Sequence, residues 1–490
     1  MSTGPASISV EVFDFGTDGG RTNPTDNNWT KWIQEKVLKE ENINVSFVAV
    51  PRSQEVSMLN VMMAAGDAPD ISYTYTNSVV YSFGGQGGLF DMLPYVDSHM
   101  PDLKSWLGED EALPGKLLIN RMVTDGKLYA VPARRMTLGR TGVFIRKDWL
   151  DKLGLPLPTT RDQYYNAMVA FKEKDPGNVG KDRVIPLSDG GGITLERIYN
   201  SFRDPNLSDK NRWIEGDVMQ PAYKEAVRFL NKMYNEGLID RDFPIYNDST
   251  TSSNLIKSGR VGSYMAGPEY PYRDTPGDFK ELLKNVPDAI IEPIDPFADS
   301  RGRTPKDIYD PAGILNFIPI FSKAPEAAMR YLNWLSRFEN RNFLQIGPEG
   351  IVHDIVDGIP KIKAAPGPWI QNFNQNLDYT PVINGLDLGD PVKNAKALVN
   401  SYNPAFSALI ERGFALSVKD GTPFPVIPVV IESAATYNSV LSDKLANLRV
   451  RAISCTPAQF DKVFDDALKD YLASGYQEVI NERRAKYPAQ

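Results

Sequence analysis

The residues ISVEVFDF (8–15), NNWTKWIQEKVLKEEN (27–42) and INVSFVAV (43–50) switch between two periodicities. In the first, Ile8, Val10 and Val12 alternate with Ser9 and Glu11, the period of two that a one-sided strand requires. In the second, Asn27 or Asn28 can cap a helix whose Trp29, Ile33 and Val37 fall on one face. The third reads as a strand again. Parallel neighbours need a crossover, so strand, helix and strand within about 45 residues predict a βαβ unit and a largely parallel sheet.

The same alternation continues. SQEVSMLNVMMAAGDAPDISY predicts a helix closing at Gly66 and a short strand around Ile71. PTTRDQYYNAMVAFKEK has Thr160 and Gln163 at capping-box spacing, with Tyr164, Met168 and Phe171 as its buried stripe. PAYKEAVRFLNKMYNEG places Tyr223, Ala226, Val227, Leu230 and Met233 on one face and stops at Gly237. APEAAMRYLNWLSRF begins with Pro325 in its first turn and turns Ala328, Tyr331, Leu332 and Leu335 inward. TPAQFDKVFDDALKDYLASG predicts a cap at Thr456, a box at Gln459, a core face of Phe460, Val463, Phe464, Ala467 and Leu468, and an end at Gly475. Two stretches, 265–315 and 358–376, are irregular and rich in Pro, Gly and aromatics. They read as crossovers between domains or rims of a cleft.

Composition narrows the function. A chain of 490 residues is long enough for two or three domains. Its net charge of -8 argues against a nucleic-acid partner. Cys455 is the one cysteine, so no internal disulfide is available, and His99 and His353 are too few for a multi-His zinc site. No run of about 18 apolar residues occurs. Residues 1–7 read as an added or flexible start in front of a mature chain, and the near-absence of Cys fits a bacterial exported protein.

GGQGG (84–88) and DGGG (189–192) lack the Lys of a P-loop, and neither a GxSxG elbow nor HExxH is present. The distinctive feature is a set of aromatics in irregular segments: Trp213, Tyr270, Tyr272, Tyr309 and Trp369. Such rings suit stacking on the C–H faces of a sugar, with neighbouring polar groups for its hydroxyls. The expected platforms are Trp213, Tyr270, Tyr272 and Trp369, with Tyr309 beside them. Arg134, Arg135, Arg273 and Asp310 are the expected polar contacts near the crossovers, and Asn27 and Tyr75 follow early strands. Arg134 and Arg135 would favour an acidic sugar, or form a solvated pair.

RMVTDGKLYAVPA (121–133), LNVMMAAGDAPDI (59–71), SKAPEAAMRYLNWL (322–335) and IGPEGIVHDIVDGIPKI (346–362) resemble segments of bacterial extracellular solute-binding proteins. IRKDWLDKLGLPLPTTRDQYYNAMVAFKEKDP (145–176) resembles the oligosaccharide-binding lipoprotein branch, which serves ABC transporters and includes alginate-oligosaccharide binders. The closing FDKVFDDALKDYLASGYQEVINERRAKY is similar to that family's last helices. The resemblance implies an α/β, two-lobed periplasmic-binding-protein-like fold of type II. Each lobe would be a mostly parallel sheet flanked by helices, with a ligand cleft between the lobes. It implies one lobe from 8–140 plus 312–362 and another from 141–311 plus 363–490. It also implies a non-catalytic, monomeric receptor that closes on an oligosaccharide and delivers it to a membrane permease. The receptor would be extracellular or periplasmic and lipid-anchored in its precursor. The alternatives are a glycoside hydrolase or lyase acting on similar glycans, and a peptide or small-metabolite receptor of the same fold.

No cofactor is expected beyond structural calcium. Relatives of the alginate-binder type carry an EF-hand-like loop where this chain reads DPGNVGKDRVIP (175–186). Asp175, Asn178, Gly180 and Asp182 match that pattern. One residue is missing, Val179 breaks the alternation and Arg183 replaces a carboxylate. Two readings stay open: a weakened calcium site, or a helix-to-strand turn.

Overall fold

The alternating stretch forms strand β1, Ala6–Asp14. Asn27 caps helix α1, Asn28–Glu41, with its side-chain oxygen accepting the Trp29 and Thr30 amides. The Thr30 hydroxyl accepts the Asn27 amide in return. Trp29, Ile33 and Val37 are fully buried, and such burial stabilises by about 1.5–3 kcal/mol per side chain. Asn42 ends the helix in the left-handed region, φ 56°, so the chain turns at once into strand β2, Ile43–Pro51, parallel to β1. Helix α2, Glu55–Ala65, closes at Gly66, φ 73°. Strand β3, Ser72–Thr74, follows, and Ile71 bridges in parallel to Val10. The computed structural model describes residues 4–14, 23–110, 115–188, 192–245, 249–273, 278–363, 369, 379–427 and 429–487. Most of DGGG (189–192) and much of 358–376 therefore lie outside the described residues.

The chain divides into two units. Unit 1 is Met1–Leu138, Asp310–Ser401 and Pro428–Val430, and unit 2 is Gly139–Tyr309, Tyr402–Ile427 and Ile431–Gln490. In unit 1, the strands Ile383–Asn384, Ala130–Arg135, Ala312–Phe317 and β3 lie side by side, and the Val10–Ile71 bridge joins the β1–β2 pair to them. In unit 2, Ile291–Ile294, Gly142–Arg146, Val261–Ala266 and Ile185–Leu187 form a second sheet.

Two expectations need correction. The sheets are mixed rather than mostly parallel. Ala312–Phe317 runs against both of its neighbours, and so does Gly142–Arg146. Each of these strands follows a change of unit along the chain, so neither is the product of a local βαβ crossover. Residues 379–401, expected in the second lobe, belong to unit 1. Ile383 and Asn384 pair in parallel with Arg134 and Arg135, and Asp387 pairs with the buried Arg341 at 2.7 Å.

The helix of 161–174 has its Thr160 cap as read, with Tyr164, Met168 and Phe171 fully buried. The carboxy-terminal pattern differs. Thr456 bonds the Gln459 side chain at 2.8 Å rather than a helix amide, and the helix runs Phe460–Tyr471. Gly475, φ 120°, joins it to a further helix, Gln477–Lys486, instead of stopping the chain. A Cβ there would fall 2.4 Å from the Tyr437 ring, so glycine is needed for close packing as well as for its backbone angle.

Candidate functional site

Ligands of α/β sheets settle outside the carboxyl ends of the strands. In unit 1 those ends carry Phe13 and Asp14 on β1, Arg52 just past β2 and Tyr75 just past β3. Two buried glutamates fix them. Glu11, fully buried, accepts the Tyr73 amide at 3.0 Å through Oε2. Its Oε1 has no hydrogen-bond partner among the described residues. Burial, with a smaller push from Glu55, raises the Glu11 carboxyl to about 8. Glu55, 3% exposed, accepts the Thr74 hydroxyl and the Tyr75 amide and pairs with Arg52 at 2.5 Å.

The result is an aromatic and cationic cluster. The Phe13 and Tyr75 rings stack with centroids 6.4 Å apart, and the Arg52 guanidinium lies 5.1 and 5.0 Å from them. Asn384 donates to the Tyr75 hydroxyl at 3.2 Å and sits in register with Arg135. Arg135 donates from Nε to the Asp310 carbonyl at 3.1 Å. The Asp310 carboxylate pairs with Arg121 at 2.7 Å and accepts the Ala312 amide. Burial raises its pKa despite Arg121. Tyr75, Arg135 and Asp310, expected from sequence, are therefore brought together. Phe13, Arg52, Glu11, Glu55 and Asn384 were not singled out. The carboxyl-end rule applied to the opening βαβ unit would have found the first two.

Other expected contacts are occupied by structure. Arg134 donates to the Leu107 carbonyl at 2.9 Å and lies 5.8 Å from the Trp106 ring. Asn27 serves as a helix cap, and its amide nitrogen donates to the Asn23 carbonyl and the Tyr379 hydroxyl at 2.8 and 2.7 Å. Trp369 packs edge-on against Trp29 at 4.9 Å and Phe343 at 5.8 Å.

In unit 2, Trp213 is 7% exposed and lies beside Tyr487 and Arg483. Tyr272 is 0% exposed, donates to the Ile291 carbonyl at 3.2 Å, and packs against Phe144 and Phe279. Neither ring offers a face for a sugar. Tyr270, Pro271 and Tyr272 form a single tight turn in which Pro271 and Tyr272 are buried while Tyr270 is half-buried. The Arg273 guanidinium lies 5.4 Å from the Tyr270 ring and pairs with Glu269. Tyr309 is 41% exposed. A polar cavity of about 190 Å³, lined among others by Arg203, Arg212, Asp299, Arg301, Arg303 and Asp420, also lies in this unit. Its residues come from three separate stretches with no common motif, so sequence gave no signal for it.

A Tyr face flanked by guanidinium and amide donors can bind a pyranose. The ring covers C–H groups, and the donors meet hydroxyl or carboxylate oxygens. Among the described residues no group of three His, Cys, Asp or Glu could hold a metal ion.

The family of bacterial extracellular solute-binding proteins matches residues 23–340. The chain belongs to that family. It is 31% identical over 477 residues to the polygalacturonan/rhamnogalacturonan-binding protein YtcQ of Bacillus subtilis, covering 91% of this chain and 86% of that protein. It is 26% identical over 486 residues to lipoprotein LipO of the same organism, covering 95% and 90%. Among solved structures, the alginate-binding protein AlgQ2 without calcium ion superposes with a TM-score of 0.67 at 20% identity, over 99% of this chain and 98% of that one. This likeness supports the two-lobed α/β fold expected from sequence. Among the described residues, no helix of this solute-binding protein is long and apolar enough to cross a membrane.

Proposed function

We propose that this solute-binding protein is the receptor of an ABC importer for oligosaccharides, and that acidic, galacturonate-containing chains are its first ligands to test. One observation carries the sugar class: 91% of the chain aligns at 31% identity with a protein named for binding polygalacturonan and rhamnogalacturonan. The cluster in unit 1 supports it chemically. Tyr75 supplies a stacking face, and Arg52 and Arg135 supply planar donors that match a carboxylate better than lysine would. The protein holds its ligand without turning it over and passes it to a membrane permease. It works as a monomer held at the cell surface by a lipid anchor on its precursor, as the similarity to a lipoprotein supports.

Isothermal titration with oligogalacturonides, against neutral fructo- and malto-oligosaccharides and peptides, tests the reading. Binding of the acidic chains, recovered unchanged by chromatography, is the expected result. Shortened or unsaturated products would favour the hydrolase or lyase reading. Binding of peptides alone would remove the carbohydrate assignment.

A further inference from the structure

The loop Asp175–Pro186 departs from the calcium-binding chemistry that the family resemblance implies. Such a cage needs roughly six to eight oxygens directed at one ion. The donor set here does not fit. Within 172–183 the acids are Glu173, Asp175 and Asp182, against the cations Lys172, Lys174, Lys181 and Arg183. Asp175 ends the helix Arg161–Lys174 in the left-handed region, φ 44°, and its carboxylate folds back over the loop. Its Oδ1 accepts the Val179 amide at 2.9 Å and its Oδ2 the Gly180 amide at 2.8 Å. Loop carbonyls meet side-chain cations. Lys152 donates to the Pro176 carbonyl at 3.0 Å, Lys172 to the Lys181 carbonyl at 3.2 Å, and Arg260 to the Arg183 carbonyl at 3.0 Å. Gly177 lies against the fully buried Trp149, so close that a Cβ would come 2.5 Å from its ring.

We propose that this loop is a metal-independent clasp in which the chain's own groups do the work of the ion. The Asp175 carboxylate gathers the turn amides, and three side-chain cations pin the loop through the Pro176, Lys181 and Arg183 carbonyls. A divalent cation approaching this loop meets positive charge on several sides and finds its central carboxylate already engaged.

The test uses the whole protein without sugar. Thermal unfolding is recorded in chelator and in millimolar calcium, and calcium is titrated calorimetrically. The expected result is one midpoint in both conditions and a flat isotherm. Asp175→Asn removes one of the two amide acceptors, so its midpoint should fall equally in chelator and in calcium. The proposal is overturned by a wild-type midpoint that rises with calcium, by a saturable calcium isotherm, or by an Asp175→Asn midpoint equal to that of the wild type.

Discussion

Replacing Glu11 with Gln should remove a pH dependence from the stability of unit 1. The Glu11 carboxyl is raised to about 8 by burial, whereas an ordinary glutamate titrates near 4.5. Below pH 4.5 both folded and unfolded chains carry the proton, and Glu11 costs nothing. Above it the unfolded chain ionises while the folded chain stays protonated. Stability is therefore lost as pH rises, by about 1.4 kcal/mol per unit, until the folded group also ionises near 8. At pH 7 the interval is 7 minus 4.5, or 2.5 units, which amounts to about 3 kcal/mol. Gln keeps an acceptor for the Tyr73 amide but places its NH2 where Oε1 lacks a partner among the described residues. The protonated Glu11 already holds an O–H there, so what Gln adds is a second unpaired donor hydrogen, which costs about 1–3 kcal/mol and offsets much of the gain at pH 7. The slope is thus the decisive quantity. Denaturant unfolding between pH 5 and 8 measures it, followed by tryptophan fluorescence. Trp29, Trp32, Trp106, Trp334 and Trp369 all lie in unit 1. The wild type should lose roughly 3–4 kcal/mol more than E11Q across that range. Parallel slopes for the two proteins would refute the buried, protonated Glu11.

Tyr75→Ala and Arg135→Ala should each weaken oligogalacturonide binding about tenfold or more, the loss of about 1.4 kcal/mol, with little change in melting; calorimetry checks both. Asn27→Ala should cost about 1–2 kcal/mol of stability through lost capping and leave sugar affinity unchanged, which denaturant unfolding and titration together decide. Trp213→Ala should destabilise unit 2 by about 3–5 kcal/mol through cavity formation, whereas a role as a platform would show instead as lost affinity with intact stability. The closure implied by the family resemblance predicts a smaller radius of gyration with saturating sugar, readable by small-angle X-ray scattering.

Sequence alone determined the elements whose causes are local. The period of two in β1, the Asn27 cap, the stripe Trp29, Ile33 and Val37, and the Thr160 cap depend on residues within a turn or two of each other. Each could be read without knowing what packs above it. The motif of 145–176 carried the family for the same reason, being one contiguous run. Tertiary structure alone decided which aromatics face solvent. Tyr270 and Tyr272 are two residues apart in one turn, yet only Tyr272 sinks beneath Phe279 of the next helix and Phe144 of a strand more than a hundred residues earlier. It also placed 379–401 in unit 1 through a two-residue strand too short to show a period, and it raised Glu11 by surrounding one outwardly ordinary carboxylate with a core. Exposure and ionisation are set by neighbours distant along the chain, and a single sequence does not record which distant neighbours those are.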